Sequence, residues 1–196
     1  MLKKQTGEVR LPGGVADSVW QRVFAYLFAY LDAREAGLVR IMVSQCGAPH
    51  WRRLWITLNR LGNGWLYLPL AVLAPLLAGR RSIPFLRVAA LSLIVAFLLY
   101  SFLKPRLARL RPCDLDPGMS TAVLALDKYS CPSGHCMTAA AIGYPLAHEF
   151  PSLLLLVIAG WGLIAWSRLS LGHHYPTDLL AGGLIGAGVS WLISAL

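Results

Sequence analysis

Three short polar segments in an otherwise apolar chain hold the residues able to do chemistry: residues 104–112 (KPRLARLRP), 132–135 (PSGH) and 167–178 (SRLSLGHHYPTD). A phosphomonoester carries up to two negative charges at neutral pH and must be met by fixed cations and many donors. Lys104, Arg111 and Arg168 supply three cations, and an arginine fork donates to two phosphate oxygens at once. Ser133 and Gly134 open a predicted helix, so a hydroxyl, backbone N–H groups and the positive end of a helix dipole are expected at one place. His174 precedes Pro176-Thr177-Asp178, where proline opens another helix. From that first turn Asp178 reaches back to one ring nitrogen of His174 and leaves the other free to attack phosphorus. His135, on a different helix, protonates the leaving alkoxide and later takes a proton from water. The cations do what Mg²⁺ does elsewhere, so neither metal nor cofactor is expected.

Taken singly, each segment has a plain structural reading. Pro-Ser-Gly starts many helices for capping reasons, and an arginine at the end of an apolar helix commonly reaches for the headgroups. The structural readings predict no spacing and no shared face, so the elements that carry the segments decide between the two. Five stretches read as membrane helices: residues 65–79, 83–103, 135–148, 153–166 and 179–196. The third is weakly apolar and is inferred from Phe150-Pro151, which sets it off from the fourth as a helical hairpin. The first motif ends span two, the second opens span three and the third joins spans four and five. Antiparallel crossings then put all three on one membrane face.

The expected fold is therefore all-α: a polytopic bundle of five spans, with a sixth as an alternative, preceded by N-terminal amphipathic interfacial helices. Residues 1–62 form the N-terminal region and 63–196 the transmembrane core. Trp20, Val23, Phe24, Leu27, Phe28 and Leu31 recur at helical spacing, but only about thirteen residues precede Asp32, Arg34 and Glu35, which is short for a span. Trp51, Leu54, Trp55 and Leu58 share a face, with Arg52, Arg53 and Arg60 elsewhere, as in a helix lying in the interface. Arg80, Arg81 and Arg87 favour the face opposite the motifs as cytoplasmic, and six spans would place Lys3 and Lys4 there too.

Composition agrees with a membrane setting. Of 196 residues, 57% are hydrophobic and only 14% charged, against about 25% charged in ordinary soluble domains. The net charge of +9 reads as contact with anionic headgroups and substrate; no nucleic-acid-binding module is visible. Residues 1–14 are polar and no cleavable signal peptide is expected. Cys46, Cys113, Cys131 and Cys136 match no zinc motif; unpaired thiols are the simpler reading, with a Cys113–Cys131 bridge as the alternative. Arg106 and Arg109 face either headgroups or substrate, His173 is a neighbour of undefined role, and Gly182, Gly183, Gly186 and Gly188 suggest close helix packing.

In order and spacing, the motifs match one known pattern: Lys104, six residues, Arg111-Pro112; Pro132-Ser133-Gly134-His135; Ser167-Arg168, five residues, His174, three residues, Asp178. This resembles the three-part signature of the type 2 phosphatidic acid phosphatase (PAP2) superfamily; the N-terminal sixty residues carry no part of it. The resemblance implies a metal-independent integral membrane lipid phosphatase working through a phosphohistidine. It implies His174 as nucleophile, His135 as acid/base, and Lys104, Arg111, Ser133, Gly134 and Arg168 as the phosphate cradle; Asp178 stands by its spacing as the catalytic partner of His174. The implied substrates are polyprenyl (pyro)phosphates, phosphatidylglycerophosphate or phosphatidic acid, met among membrane lipids, with no nucleic acid and no obligate protein partner. Bacterial members imply the inner membrane, with the site facing the periplasm or exterior. Two rivals are a vanadate-dependent haloperoxidase, against which the apolar spans argue, and a non-catalytic lipid-phosphate binder or transporter, which would not need His135, His174 and Asp178 together.

Overall fold

The computed structural model describes residues 19–119 and 123–196. The polar residues 1–14 and Lys3 and Lys4, on which the leader and charge expectations rest, lie outside the described residues. Every regular element among the described residues is a helix: α1 (Val19–Ser44), α2 (Pro49–Arg60), α3 (Tyr67–Ala78), α4 (Ile83–Leu107), the single turn α5 (Pro112–Leu115), α6 (Gly134–Glu149), α7 (Leu154–Ser170) and α8 (Pro176–Ser194). Among the described residues, three stretches are long and apolar enough to cross a membrane: Tyr67–Leu115, which holds both α3 and α4, Pro151–Ser170 and Pro176–Ser194. Large apolar side chains point outward along them, Leu68, Leu77, Phe97, Leu155 and Leu184 among them, as a lipid solvent requires.

α1 corrects one expectation. It does not stop before Asp32 but runs 26 residues, about 39 Å, to Ser44. The charges that read as a helix end are interior ion-pair partners: Asp32 and Glu35 both meet Arg109, which lies 77 and 74 residues along the chain. α2 forms as its periodicity predicts, starting at Pro49 after an extended Ala48. Trp55 is buried and stacked between Trp51 and Trp166, which seats α2 on α7. A π turn, Leu61–Trp65, then leads into α3.

α6, the weakly apolar helix, is the centre of the bundle and packs against α4, α7 and α8. Its small side chains make it poorly hydropathic and closely packable at once. On the α8 side a Cβ at Gly186 would lie 2.1 Å from the Met137 carbonyl oxygen, and one at Gly182 2.4 Å from that of Ser133. Those contacts are to backbone, which cannot yield, so the helices touch only because both positions are bare. Gly188 meets nothing within 4 Å and has no part in this packing.

Candidate active site

The three motifs converge. α4 ends at Ala108, which adopts the left-handed conformation (φ 47°) and donates its N–H to the Lys104 carbonyl at 3.0 Å. That reversal costs an alanine about 1 kcal/mol. It turns Arg109 inward and sends Arg111 towards the loop that precedes α8. α6 begins immediately after Ser133, whose N–H donates to the Asp178 carbonyl at 3.0 Å, tying the second motif to the third. α7 runs four residues past its expected end, so Ser167 and Arg168 lie in its last turns and the tight turn 171–175 returns His173 and His174 beneath them.

Two guanidinium groups point at one nitrogen. Arg111 Nη1 lies 3.3 Å and Arg168 Nη2 3.4 Å from His174 Nε2. A guanidinium only donates, so Nε2 carries a lone pair and the ring proton sits on Nδ1. Asp178 Oδ2 lies 3.7 Å from that Nδ1, within ion-pair range but beyond hydrogen bonding. The carboxylate is held instead by Arg109 Nη1 at 2.7 Å on Oδ1 and by the Tyr175 N–H at 2.8 Å on Oδ2. Burial first, then the charges of Arg168, Arg111 and Lys104, hold the His174 imidazole well below the ordinary histidine range, so it is neutral at pH 7.

The two arginines left open by the sequence separate here. Arg109 is fully buried among Asp32, Glu35, Thr177 and Asp178, with its guanidinium 4.2 Å from the centre of the Tyr175 ring. It anchors α1 to the start of α8 and has no donor left for substrate. Arg106 lies outside, over the Phe102 ring. His173 also acquires a place: its ring donates from Nε2 to the Val123 carbonyl at 2.8 Å, and its own carbonyl accepts from Arg111 Nη1 at 2.6 Å. Burial, with Arg168 next, lowers its pKa to about 4. All four cysteines are free thiols, so Cys113 and Cys131 are not bridged.

Sequence reasoning missed Asp127. Its carboxylate sits 2.7 Å from Lys104 Nζ and 2.5 Å from Arg111 Nη2, with Tyr100 donating to its other oxygen. Burial opposes its charge, yet the hydrogen bonds from Lys104 and Tyr100 keep it below the usual carboxylate range. A lone aspartate in a polar loop carries no periodic signal. Asn59 and Asn63 were missed for the same reason: Asn59 accepts from Arg168, and Asn63 accepts from His135 Nε2.

Some donors remain unspent. Ser133 Oγ and Arg168 Nε are buried with no hydrogen-bond partner among the described residues. Each such group costs about 1–3 kcal/mol until something accepts from it. Arg168 lines a cavity of about 490 Å³ whose polar end also holds Lys104, Asp127, His135 and His174, and Ser133 immediately precedes the lining residue Gly134. Gly134 also lines it, with the Tyr100 ring so close that a Cβ there would lie 2.8 Å from it. From Lys104 the cavity follows one face of α4 through Tyr100, Phe97, Ala96 and Leu93. Eleven residues of helix carry it about 16 Å from the cations along an apolar wall. Lys104 and Arg168 in that lining, with Arg111 beside His174, outnumber the Asp127 carboxylate, a positive surplus suited to a phosphate anion.

Residues 85–196 match the model of the PAP2 superfamily. An undecaprenyl-diphosphatase of Sulfolobus acidocaldarius is 29% identical over 141 residues, 71% of this chain and 67% of that one. A decaprenylphosphoryl-5-phosphoribose phosphatase of Mycobacterium tuberculosis is 33% identical over 135 residues, 68% of this chain and 71% of that one. The crystal structure of a transmembrane PAP2 type phosphatidylglycerolphosphate phosphatase from Bacillus subtilis superposes with a TM-score of 0.67 at 23% identity, covering 90% of this chain and 92% of that one.

Proposed function

The chain belongs to the PAP2 superfamily and is an integral membrane lipid phosphatase; from that premise we propose that it removes the terminal phosphate of a membrane lipid through a phosphohistidine on His174. The observation that carries this reading is the single cavity that joins a cationic end to an apolar furrow along α4. A phosphate at one end and a hydrocarbon chain along the other satisfy both halves together.

In the first step His174 Nε2 bonds to phosphorus, the P–O bond to the lipid breaks, and a proton from His135 goes to the departing oxygen. In the second, a water oxygen bonds to phosphorus, its proton goes to His135, the P–N bond breaks and inorganic phosphate leaves. Lys104, Arg111, Arg168, Ser133 and Gly134 form the cradle, with Ser133 Oγ and Arg168 Nε the donors in waiting. Asp178 steadies the Nδ1 proton as the ring becomes positive, the 3.7 Å gap closing with a small ring rotation.

A polyprenyl phosphate or pyrophosphate is the favoured substrate over phosphatidylglycerophosphate or phosphatidic acid. The furrow follows one helix face, which suits one long chain, and two relatives bear polyprenyl names. The bundle crosses the membrane six times, with α1 first. The C-terminal end of α1 packs through Val39 and Val43 on Met119 and Tyr175, at the motif face. With the positive-inside tendency, this packing supports a bundle with Arg80 and Arg81 on the cytoplasmic side and the site on the periplasmic or exterior side of a bacterial inner membrane. The test is phosphate release by purified protein, in EDTA, from polyprenyl phosphate, polyprenyl pyrophosphate, phosphatidylglycerophosphate and phosphatidic acid. Polyprenyl substrates are expected to give the highest kcat/KM; absence of release from every lipid phosphate would reject the reading.

A further inference from the structure

Two asparagines outside the family-matched residues touch two of the site's working groups. Asn59 and Asn63 stand four residues apart, so the end of α2 and the π turn after it present both from one side. Asn59 is buried and takes one Nη of Arg168, leaving Nη2 directed at His174. Asn63 lies on the rim of the cavity and its amide oxygen accepts the Nε2–H of His135.

The surrounding backbone is built for that contact. A Cβ at Gly62 would lie 3.1 Å from His135 Cδ2, so the imidazole rests directly on the chain. Gly64 takes φ 117°, a conformation open to glycine, and swings Asn63 over the ring. The Trp55–Trp166 stack fixes α2 to α7 behind it. A histidine that must give and take a proton at one nitrogen is best held at the other, which sets its ring plane and tautomer. A neutral amide oxygen does this without binding the mobile proton more tightly, as a carboxylate would.

We propose that Asn63 is the positioning residue of His135, and that the Gly62-Asn63-Gly64 turn belongs to the catalytic machinery although it lies outside the family-matched residues. The inference rests on the reading of His135 as the acid/base. With Nε2–H held by Asn63, the doubly protonated His135 gives its Nδ1 proton to the lipid oxygen as the P–O bond breaks and is left neutral, and Nδ1 then takes a proton from water as the P–N bond breaks, restoring the imidazolium. The bond to Asn63 is the same before and after both steps.

A mispositioned acid matters only when the leaving group needs a proton. The experiment therefore compares kcat/KM for an alkyl phosphate with that for a nitrophenyl phosphate bearing an alkyl tail of equal length, whose leaving group departs unprotonated. Asn63→Ala is expected to lower kcat/KM roughly 30-fold on the alkyl ester, part of the usual worth of a general acid, and less than three-fold on the aryl ester. Gly62→Ala, which displaces the ring with Asn63 intact, is expected to show the same selectivity at a smaller size. A purely structural role predicts equal losses on both esters; equal losses, or an undiminished alkyl rate, overturn the proposal. His135→Ala is run in parallel. If it is selective and Asn63→Ala is not, only the role of Asn63 is rejected. If His135→Ala shows equal losses, the acid role fails and the inference falls with it.

Discussion

Asp127 occupies Lys104 and Arg111, two of the cations proposed to hold the phosphate, which makes it the most informative single side chain for substrate binding. Asp127→Asn keeps the shape and removes the charge, freeing Lys104 and Arg111 for an incoming anion. Inhibition constants for inorganic phosphate and vanadate are expected to fall roughly ten-fold, about one charge-assisted hydrogen bond; unchanged or weaker inhibition would mean that Asp127 orients the cations instead. His174 gives a pH prediction. Positive neighbours and burial disfavour its imidazolium, so it stays neutral well below pH 6.5. Arg168→Gln removes one of those charges and shifts the titration of His174 to higher pH, read by ¹⁵N NMR of the imidazole in the free protein. The opposing influences at this ring are the nearby Asp178 carboxylate and, on the cationic side, Arg111, Lys104 and His135; a midpoint that stays put would show that burial alone sets it. The motif residues were legible in the sequence because phosphate chemistry dictates both their types and their spacing. Asp127, Asn59 and Asn63 were not, since each is a lone polar residue whose partner is set by tertiary packing.

At the scale of elements, α6 and α8 are the pair on which the site depends, because Ser133 and Asp178 are joined across their N-termini. Gly186→Ala drives a Cβ into the Met137 carbonyl and should destabilise the protein by about 3 kcal/mol or more, whereas Gly188→Ala meets open space and should stay within about 0.5 kcal/mol. Thermal unfolding in detergent of the two variants checks this, and equal melting temperatures would contradict the packing described. Helix identity was readable from apolar periodicity, from Phe150-Pro151, which separates two helices, and from Pro176, which opens the last. The length of α1 was not. Asp32 and Glu35 look like a helix end locally, and only Arg109 makes them interior; removing that guanidinium would leave three carboxylates without a cation, the costly half of a buried ion network. Arg109 itself was undecided in the sequence for the same reason: its partners lie on two distant helices.

At the scale of the whole molecule, the convergence of the three motifs was readable from the parity of antiparallel crossings, without any contact being known. Orientation is the part that parity cannot give, and charge asymmetry supplies it. In a Cys113→Ser background the remaining native thiols are buried. There, Leu124→Cys, at a side chain 91% exposed beside the site, is expected to react with a membrane-impermeant maleimide in spheroplasts, while Arg81→Cys reacts only after permeabilisation. The reverse pattern would invert the bundle and place phosphate release in the cytoplasm.

The central claim is covalent transfer to His174, and the most direct measurement is trapping of the phosphoenzyme. Wild-type protein and the His135→Ala and His174→Ala variants are mixed with a ³²P-labelled lipid phosphate, quenched in alkali within milliseconds to seconds, and separated from free lipid. Covalent transfer to His174 predicts an acid-labile, alkali-stable label on the wild type that persists longer in His135→Ala, and neither label nor turnover in His174→Ala. Turnover by His174→Ala at the wild-type rate, or a label that resides on another side chain, would contradict it.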